Sequence, residues 1–486
     1  MKHRNTHGIP SRWWIVASFL VSAAAGQVYA CTAIIVGKSA SKDGSVLVGH
    51  NDDYGGTRCL NFRAVPRLRH PPQAIVEVAD GLTMPEVPQT WAYLWSQLPG
   101  LPYSDIYLNE WGVTVLNNYT PSRDTEEAAA RRGELLQGGV QFMLKRIIAQ
   151  RAKSARQGLA VAKDLIERFG YGGGWTTVIA DGKEAWLLSL APGKHWVAQR
   201  VPDDAVVILP NTYIISQVDP NDQTQFLAAS DLIQHACAQG WYDPNGGVPF
   251  SFRDAYGTER IGAIDGRQRR GQGMMTGKEI PSSGIPQLPF AVRPRDKIGL
   301  REVMAFLRDR GPGYSICNEM TQESSIFQLR SSLPAAIGCV YWHCLARPDV
   351  STFVPWYAGI GDVPDCYHKS VPLETQLSLS YHLSPPGGTF DVDPNHAWWD
   401  FKALAASLLG EEPQRRETAR AVMDAFEDRE LENQPSTEAK ALQLHAVDPE
   451  GARAYLTDYC SQWGRKARRL AEELPHRLRR PQRPMP

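Results

Sequence analysis

The run Cys31-Thr-Ala-Ile-Ile-Val-Gly37 constrains this chain most. Its apolar, β-branched composition predicts a buried strand that begins at the cysteine. Lys42-Asp43-Gly44 predicts a turn, and Ser45-Val-Leu-Val-Gly-His50 a returning strand that ends on Asn51, Asp52 and Asp53. The hairpin thus brings carboxylates back beside a thiol at the head of the first strand. By itself Asp52-Asp53 would be an ordinary solvated turn.

What precedes Cys31 gives it a second meaning. A basic start without acids (Lys2, Arg4, Arg12) leads into the apolar run Trp13 to Ala25, then Val28-Tyr29-Ala30. That order predicts a signal peptide over 1–30, with small residues at −3 and −1 of the cut. An uncleaved anchor fits less well, since the apolar run is shorter than the ~20 residues that span a bilayer. A lipoprotein signal stays open, although bulky Tyr29 suits it poorly. Cleavage after Ala30 leaves Cys31 at a free N-terminus. Its α-amine titrates near ~8 and can act as the base for its own thiol. The expectation is an exported, periplasmic or secreted protein with no stable membrane insertion after cleavage.

Composition narrows the class. The chain has 486 residues, 43% of them apolar, and its 52 lysines and arginines balance 52 acids. Zero net charge gives no reason to expect nucleic acid or a membrane surface as partner. Of eight cysteines, seven remain after Cys31, and no Cys-x-x-Cys pair suggests zinc or redox chemistry. Zinc-protease HExxH, esterase GxSxG and P-loop motifs are absent. No metal and no cofactor is expected.

Periodicity predicts a mixed α/β chain. Strands are expected within Ile106–Tyr119, at Trp175–Ala180, Glu184–Leu190, Lys194–Val201, Ala205–Leu209, Ser325–Leu329 and Gly338–Trp342. Helical segments are expected at Thr125–Arg151, Gln225–Ala238 and Gly299–Arg308, and from Ala397 onward. Ser154 to Phe169 reads as the clearest helix, with Ser154 and Gln157 as a capping box and Gly170 as its stop. The basic tail from Arg465 reads as a solvated or disordered end.

Several ordered motifs carry a resemblance. Cys-Thr-Ala-Ile-Ile-Val-Gly37, Asp43-Gly44-Ser45 and His50-Asn-Asp-Asp53 are similar to the start of the secerin/PepD-type cysteine dipeptidases, which are N-terminal nucleophile hydrolases. Asn109-Glu-Trp-Gly-Val113, Tyr171-Gly-Gly173, His195-Trp196, Asn211, Gly240-Trp-Tyr-Asp-Pro244 and Thr321-Gln-Glu-Ser-Ser325 follow in the family's order. The resemblance implies a four-layer αββα sandwich over 31–410, followed by a helical region with a basic tail over 411–486. It also implies a peptidase acting on small peptides. Cys31 is then the nucleophile and Asp53 the carboxylate that orients its amine. Asn211, where a strand ends in Pro-Asn, is the main oxyanion donor, and Asn118 is a second candidate or else a turn asparagine. One departure concerns the substrate's charged end: the family usually has arginine at His50 and glutamate at Asp52. A histidine near ~6.5 would add its own titration to the acidic limb of the pH profile. A related N-acyl amide hydrolase, resembling penicillin V and bile-salt acylases, would use the same residues. A noncatalytic exported binding protein with a structural Cys31 is the third reading. Homo-oligomerisation is left open.

Overall fold

The computed structural model describes residues 31–79, 81–258, 261–281, 288–369 and 386–479. The expected signal peptide and the last seven residues of the basic tail lie outside them. The first strand, β1 (Thr32–Val36), is completely buried. It pairs antiparallel with β2 (Val46–Asp53), setting Thr32 opposite Asn51 and Ala33 opposite His50. Strands with no solvated face must be covered on both sides, which calls for layers.

Two antiparallel sheets supply them. The first runs from β14 (Val206–Leu209) through β1, β2 and β16 (Thr321–Leu329) to β17 (Cys339–Leu345) and β18 (Val354–Tyr357). The second starts at β15 (Phe226–Ala228) and passes through β13 (Trp196–Arg200), β12 (Ala185–Leu190) and β11 (Trp175–Ala180). It continues through β10 (Thr114–Tyr119), β9 (Ile106–Asn109) and β8 (Tyr93–Gln97) to β3 (Asn61–Val65). Short ladders join β4 (Leu68–Arg69) to β7 (Gln89–Thr90), and β5 (Ile75–Ala79) to β6 (Leu82–Pro85).

Helices Ile261–Thr276 and Leu300–Leu307 pack against β14, β2 and β16. Helices Met143–Arg151 and Ala155–Phe169 pack against β9 to β12. Between the sheets, His50 Nε2 meets Asn118 Oδ1 at 3.1 Å. Helix, sheet, sheet, helix is the expected αββα order.

Local chemistry explains most boundaries. Ser154 Oγ accepts the Gln157 amide at 3.2 Å and caps the helix it opens. Gln157 reaches back to the Lys153 amide at 2.8 Å, one residue beyond the partner a capping box expects. Gly170 ends that helix at φ 74°, where a Cβ would stand 2.0 Å from the Glu134 carbonyl oxygen.

Three expectations change. Thr125–Arg151 divides into Glu126–Arg131 and Met143–Arg151, because Gly133, Gly138 and Gly139 between them take positive φ. Gln225–Ala238 is helical only from Leu232, since Phe226–Ala228 pairs with β13 at the sheet edge. The basic tail is helical as far as Arg479, and Arg468 bonds Asp400 at 2.7 Å. Helices Ala397–Leu408 and Pro449–Arg479 cover β17 and β18.

Candidate active site

Cys31 stands at the head of β1, and strand pairing brings the end of β2 beside it. Its Sγ lies 3.6 Å from Asp52 Oδ1. The Cys31 carbonyl is held from two sides, by Arg267 Nη1 at 2.7 Å and Asn118 Nδ2 at 3.2 Å. Arg267 Nη1 also meets Thr32 Oγ1 at 2.7 Å, and Nη2 donates to Asn211 Oδ1 at 3.0 Å. The main chain of residue 31 is therefore fixed by charged and amide donors.

The two carboxylates of β2 sit differently. Asp53 accepts Thr321 Oγ1 at 2.6 Å and Asn318 Nδ2 at 2.5 Å. Burial outweighs these donors and pushes its carboxyl up to about 7, with Arg267 acting in the opposite direction. Asp52 accepts Gln322 Nε2 at 3.0 Å. Burial first, then Asp105 and Glu323, hold it well above the ordinary carboxylate range. The Cys31 thiol is also raised well above its usual value, by burial and then by Asp52 and Asp53. With residue 30 attached, the site is a half-buried thiol among acids that no α-ammonium balances.

The sequence-selected residues all converge here, but in altered roles. Asp52, which the sequence placed at the end of β2 without a catalytic role, is the carboxylate whose oxygen faces the thiol. Both amide protons of Asn118 go to backbone carbonyls, Cys31 at 3.2 Å and Leu209 at 3.0 Å. Its side chain is thus committed to clamping β1 and β14, not to an oxyanion. Asn211 keeps capacity: Oδ1 takes Arg267, and Nδ2 gives one proton to the Tyr119 carbonyl at 2.7 Å. One N–H remains, with the amide orientation fixed by both partners.

His50 departs furthest from expectation. It is fully buried between the sheets, and its Nε2 donates to Asn118 because the amide nitrogen of Asn118 is occupied. Burial pushes its pKa down to about 4. It is neutral at working pH and adds no titration to an acidic limb between pH 5.5 and 7.5.

Arg267, Asn318 and Gln322 were missed. Arg267 is 236 residues from Cys31 in sequence, in a helix whose arginines look alike on paper. Gln322 did lie in a visible signal, the Thr321-Gln-Glu-Ser-Ser325 motif, where it went unassigned.

Tyr103, Phe142, Trp175 and Tyr119 form an aromatic cluster. Tyr103 stacks on Phe142 with centroids 4.9 Å apart, and Trp175 meets Phe142 edge-on at 5.9 Å and Tyr119 at 5.4 Å. Buried Lys145 ties Asp105 at 2.6 Å to Asn117 at 2.7 Å, while the Asp105 side chain remains 27% exposed.

The model of peptidase family C69 matches residues 30–315 and 308–383. A "Probable dipeptidase" of Salmonella dublin is 28% identical over 360 residues, 69% of this chain and 82% of its own length. Another of that name from Latilactobacillus sakei is 26% identical over 385 residues, 74% of this chain and 80% of its own. Among solved structures, penicillin V acylase from Agrobacterium tumefaciens is similar at 12% identity and TM-score 0.33, covering 67% of this chain and 86% of its own. A family match that spans the strand after Cys31, both sheets and the Thr321 motif makes this chain a member of peptidase family C69.

Proposed function

We propose that the protein is an exported cysteine dipeptidase in which the mature N-terminal Cys31 is the nucleophile. The observation that carries this reading is the clamped head of β1. Arg267 and Asn118 fix the Cys31 carbonyl, and Asp52 and Asp53 lie beside the thiol. Removal of 1–30 would create an α-ammonium among these acids. That cation would lower the thiol's pKa and hold the carboxylates ionised.

In this mechanism the neutral amine takes the thiol proton as Sγ attacks the scissile carbonyl. The remaining Asn211 N–H donates to the oxyanion, a contribution of ~3 kcal/mol for a well-placed donor. Collapse expels the leaving amine, protonated by the Cys31 ammonium, and leaves a thioester. Water activated by the same amine then releases the acid.

The relatives' name, "Probable dipeptidase", points to dipeptides as substrate, and we take short peptides with a free N-terminus as the form bound. Partly exposed Asp105, tied to Lys145, is the carboxylate suited to the substrate's ammonium, and the aromatic cluster suits its side chains. A panel of dipeptides against their N-acetyl counterparts tests this. Dipeptides should be cleaved at least tenfold faster in kcat/KM, and preference for the acetylated compounds would move the enzyme to the N-acyl amide hydrolases.

A further inference from the structure

Outside the residues that surround Cys31, two histidines lie face to face. His195 stands just before β13, and His235 lies in helix Leu232–Ala238. Their ring centroids are 3.6 Å apart at 15°, and they are 2% and 8% exposed. One ligand atom from each, with one from Glu134, gathers within 4.8 Å.

Hydrogen bonding fixes which nitrogens are bare. The Tyr256 hydroxyl donates its proton to the Leu232 carbonyl at 2.8 Å, so at 3.0 Å from His235 Nδ1 it can only accept. His235 therefore carries its proton on Nδ1. Its buried Nε2 has no hydrogen-bond partner and faces Asp124 Oδ2 at 3.7 Å. His195 has a carboxylate at each nitrogen: Glu134 Oε1 is 3.4 Å from Nε2, and Asp231 Oδ1 is 3.6 Å from Nδ1. A neutral imidazole has one proton for the two, so one lone pair faces an anion.

Charge points the same way. Asp124, Glu134 and Asp231 bring three negative charges, and Arg132, bonded to Asp124 at 2.6 Å and Glu134 at 2.8 Å, returns one. Two imidazolium ions stacked at 3.6 Å would repel. One dication answers both lone pairs and the excess charge. Gly193 contributes to the assembly, since a Cβ there would stand 2.2 Å from Glu134 Oε2.

We propose that His195, His235 and Glu134 bind one divalent transition-metal ion of the zinc class, with Asp124 as the fourth ligand. Imidazole and carboxylate suit zinc and its neighbours. With Nε2 as the ligand atom of both rings, Asp231 and the Tyr256 hydroxyl take the two Nδ1 protons, the usual outer partners of metal-bound histidine. Metal–nitrogen bonds of ~2.0–2.1 Å lie in the ring planes, so binding must splay the two rings out of their stack. Four protein ligands make a closed, structural site. It would tie the glycine-rich connection at Glu134 to the start of β13 and to helix Leu232–Ala238.

The test titrates zinc alone into the full chain, stripped with chelator and carrying Cys31→Ala so that the catalytic thiol cannot capture the metal. Calorimetry should give one equivalent bound at micromolar Kd or tighter, with a raised Tm. His235→Gln and Glu134→Gln should each weaken binding at least tenfold, and Asp231→Asn about tenfold. Absence of saturable binding, or unchanged affinity in both ligand variants, overturns the site. Should those variants fail to fold, cobalt(II) in the Cys31→Ala chain decides. Intense visible bands of a four-coordinate ion without thiolate charge transfer support the site, whereas a thiolate band or no such bands contradicts it.

Discussion

At the scale of single residues, Cys31 is the group proposed to react, while Arg267 and Asn118 hold its main chain. Cys31→Ala should abolish dipeptide hydrolysis with the fold intact, and Cys31→Ser should keep at most a trace, because the amine remains while the better nucleophile is lost. Turnover assays beside circular dichroism read both. The raised Asp53 carboxyl gives a stability prediction with a definite sign. Its folded pKa, about 7, exceeds the ordinary 3.8. The folded chain therefore binds more protons between those values, and stability falls as pH rises from about 4 to 7. With residues 1–30 attached, Asp53→Asn should remove part of this slope in Tm between pH 5 and pH 8. An unaltered slope would mean that Asp53 is ionised in the precursor. Neutral His50 makes the opposite forecast: His50→Gln should leave the acidic limb of kcat/KM in place between pH 5.5 and 7.5, whatever it does to the maximum rate. The type of residue needed was readable in the sequence, since a thiol and carboxylates were visible at the ends of adjacent strands. Charge state was not, because it depends on burial that β16 and the second sheet create.

At the scale of elements, the hairpin was legible because β-branched runs and an Asp-Gly turn act locally. The helix after Ser154 was legible for the same reason, through its cap and its glycine stop. Gly170→Ala should lower stability by more than ~1 kcal/mol, since it adds left-handed strain to a clash with the Glu134 backbone. Urea unfolding would measure it, and an unchanged midpoint would place Gly170 in a relaxed turn. Phe226–Ala228 could not be read as a strand because its apolar pattern continues into the helix, and only an open edge on β13 selects the extended form. Asn118 and Asn211 lie on or beside strands that sequence located correctly. Their different duties follow from which carbonyls and which arginine come within reach.

At the scale of the whole molecule, the boundary expected near residue 410 divides one core. Helix Pro413–Val447 sends Glu427 to Arg308 and Glu438 to Arg330, with the Arg330 and Glu438 side chains 11% and 9% exposed. Truncation after 410 would strand both arginines in buried surroundings, and a single Glu438→Gln should cost about 3 kcal/mol. Full stability of a 31–410 fragment would contradict this packing. Such long-range pairings left no local trace, and neither did the path by which Arg267 reaches Cys31.

The working enzyme should begin at Cys31 and react through it. Mass spectrometry of the active protein after stoichiometric alkylation tests it most directly. The expected result is a mature chain starting at Cys31, with one label on that residue in proportion to lost dipeptide hydrolysis. Full activity with residue 30 still attached, or with Cys31 completely alkylated, would contradict it.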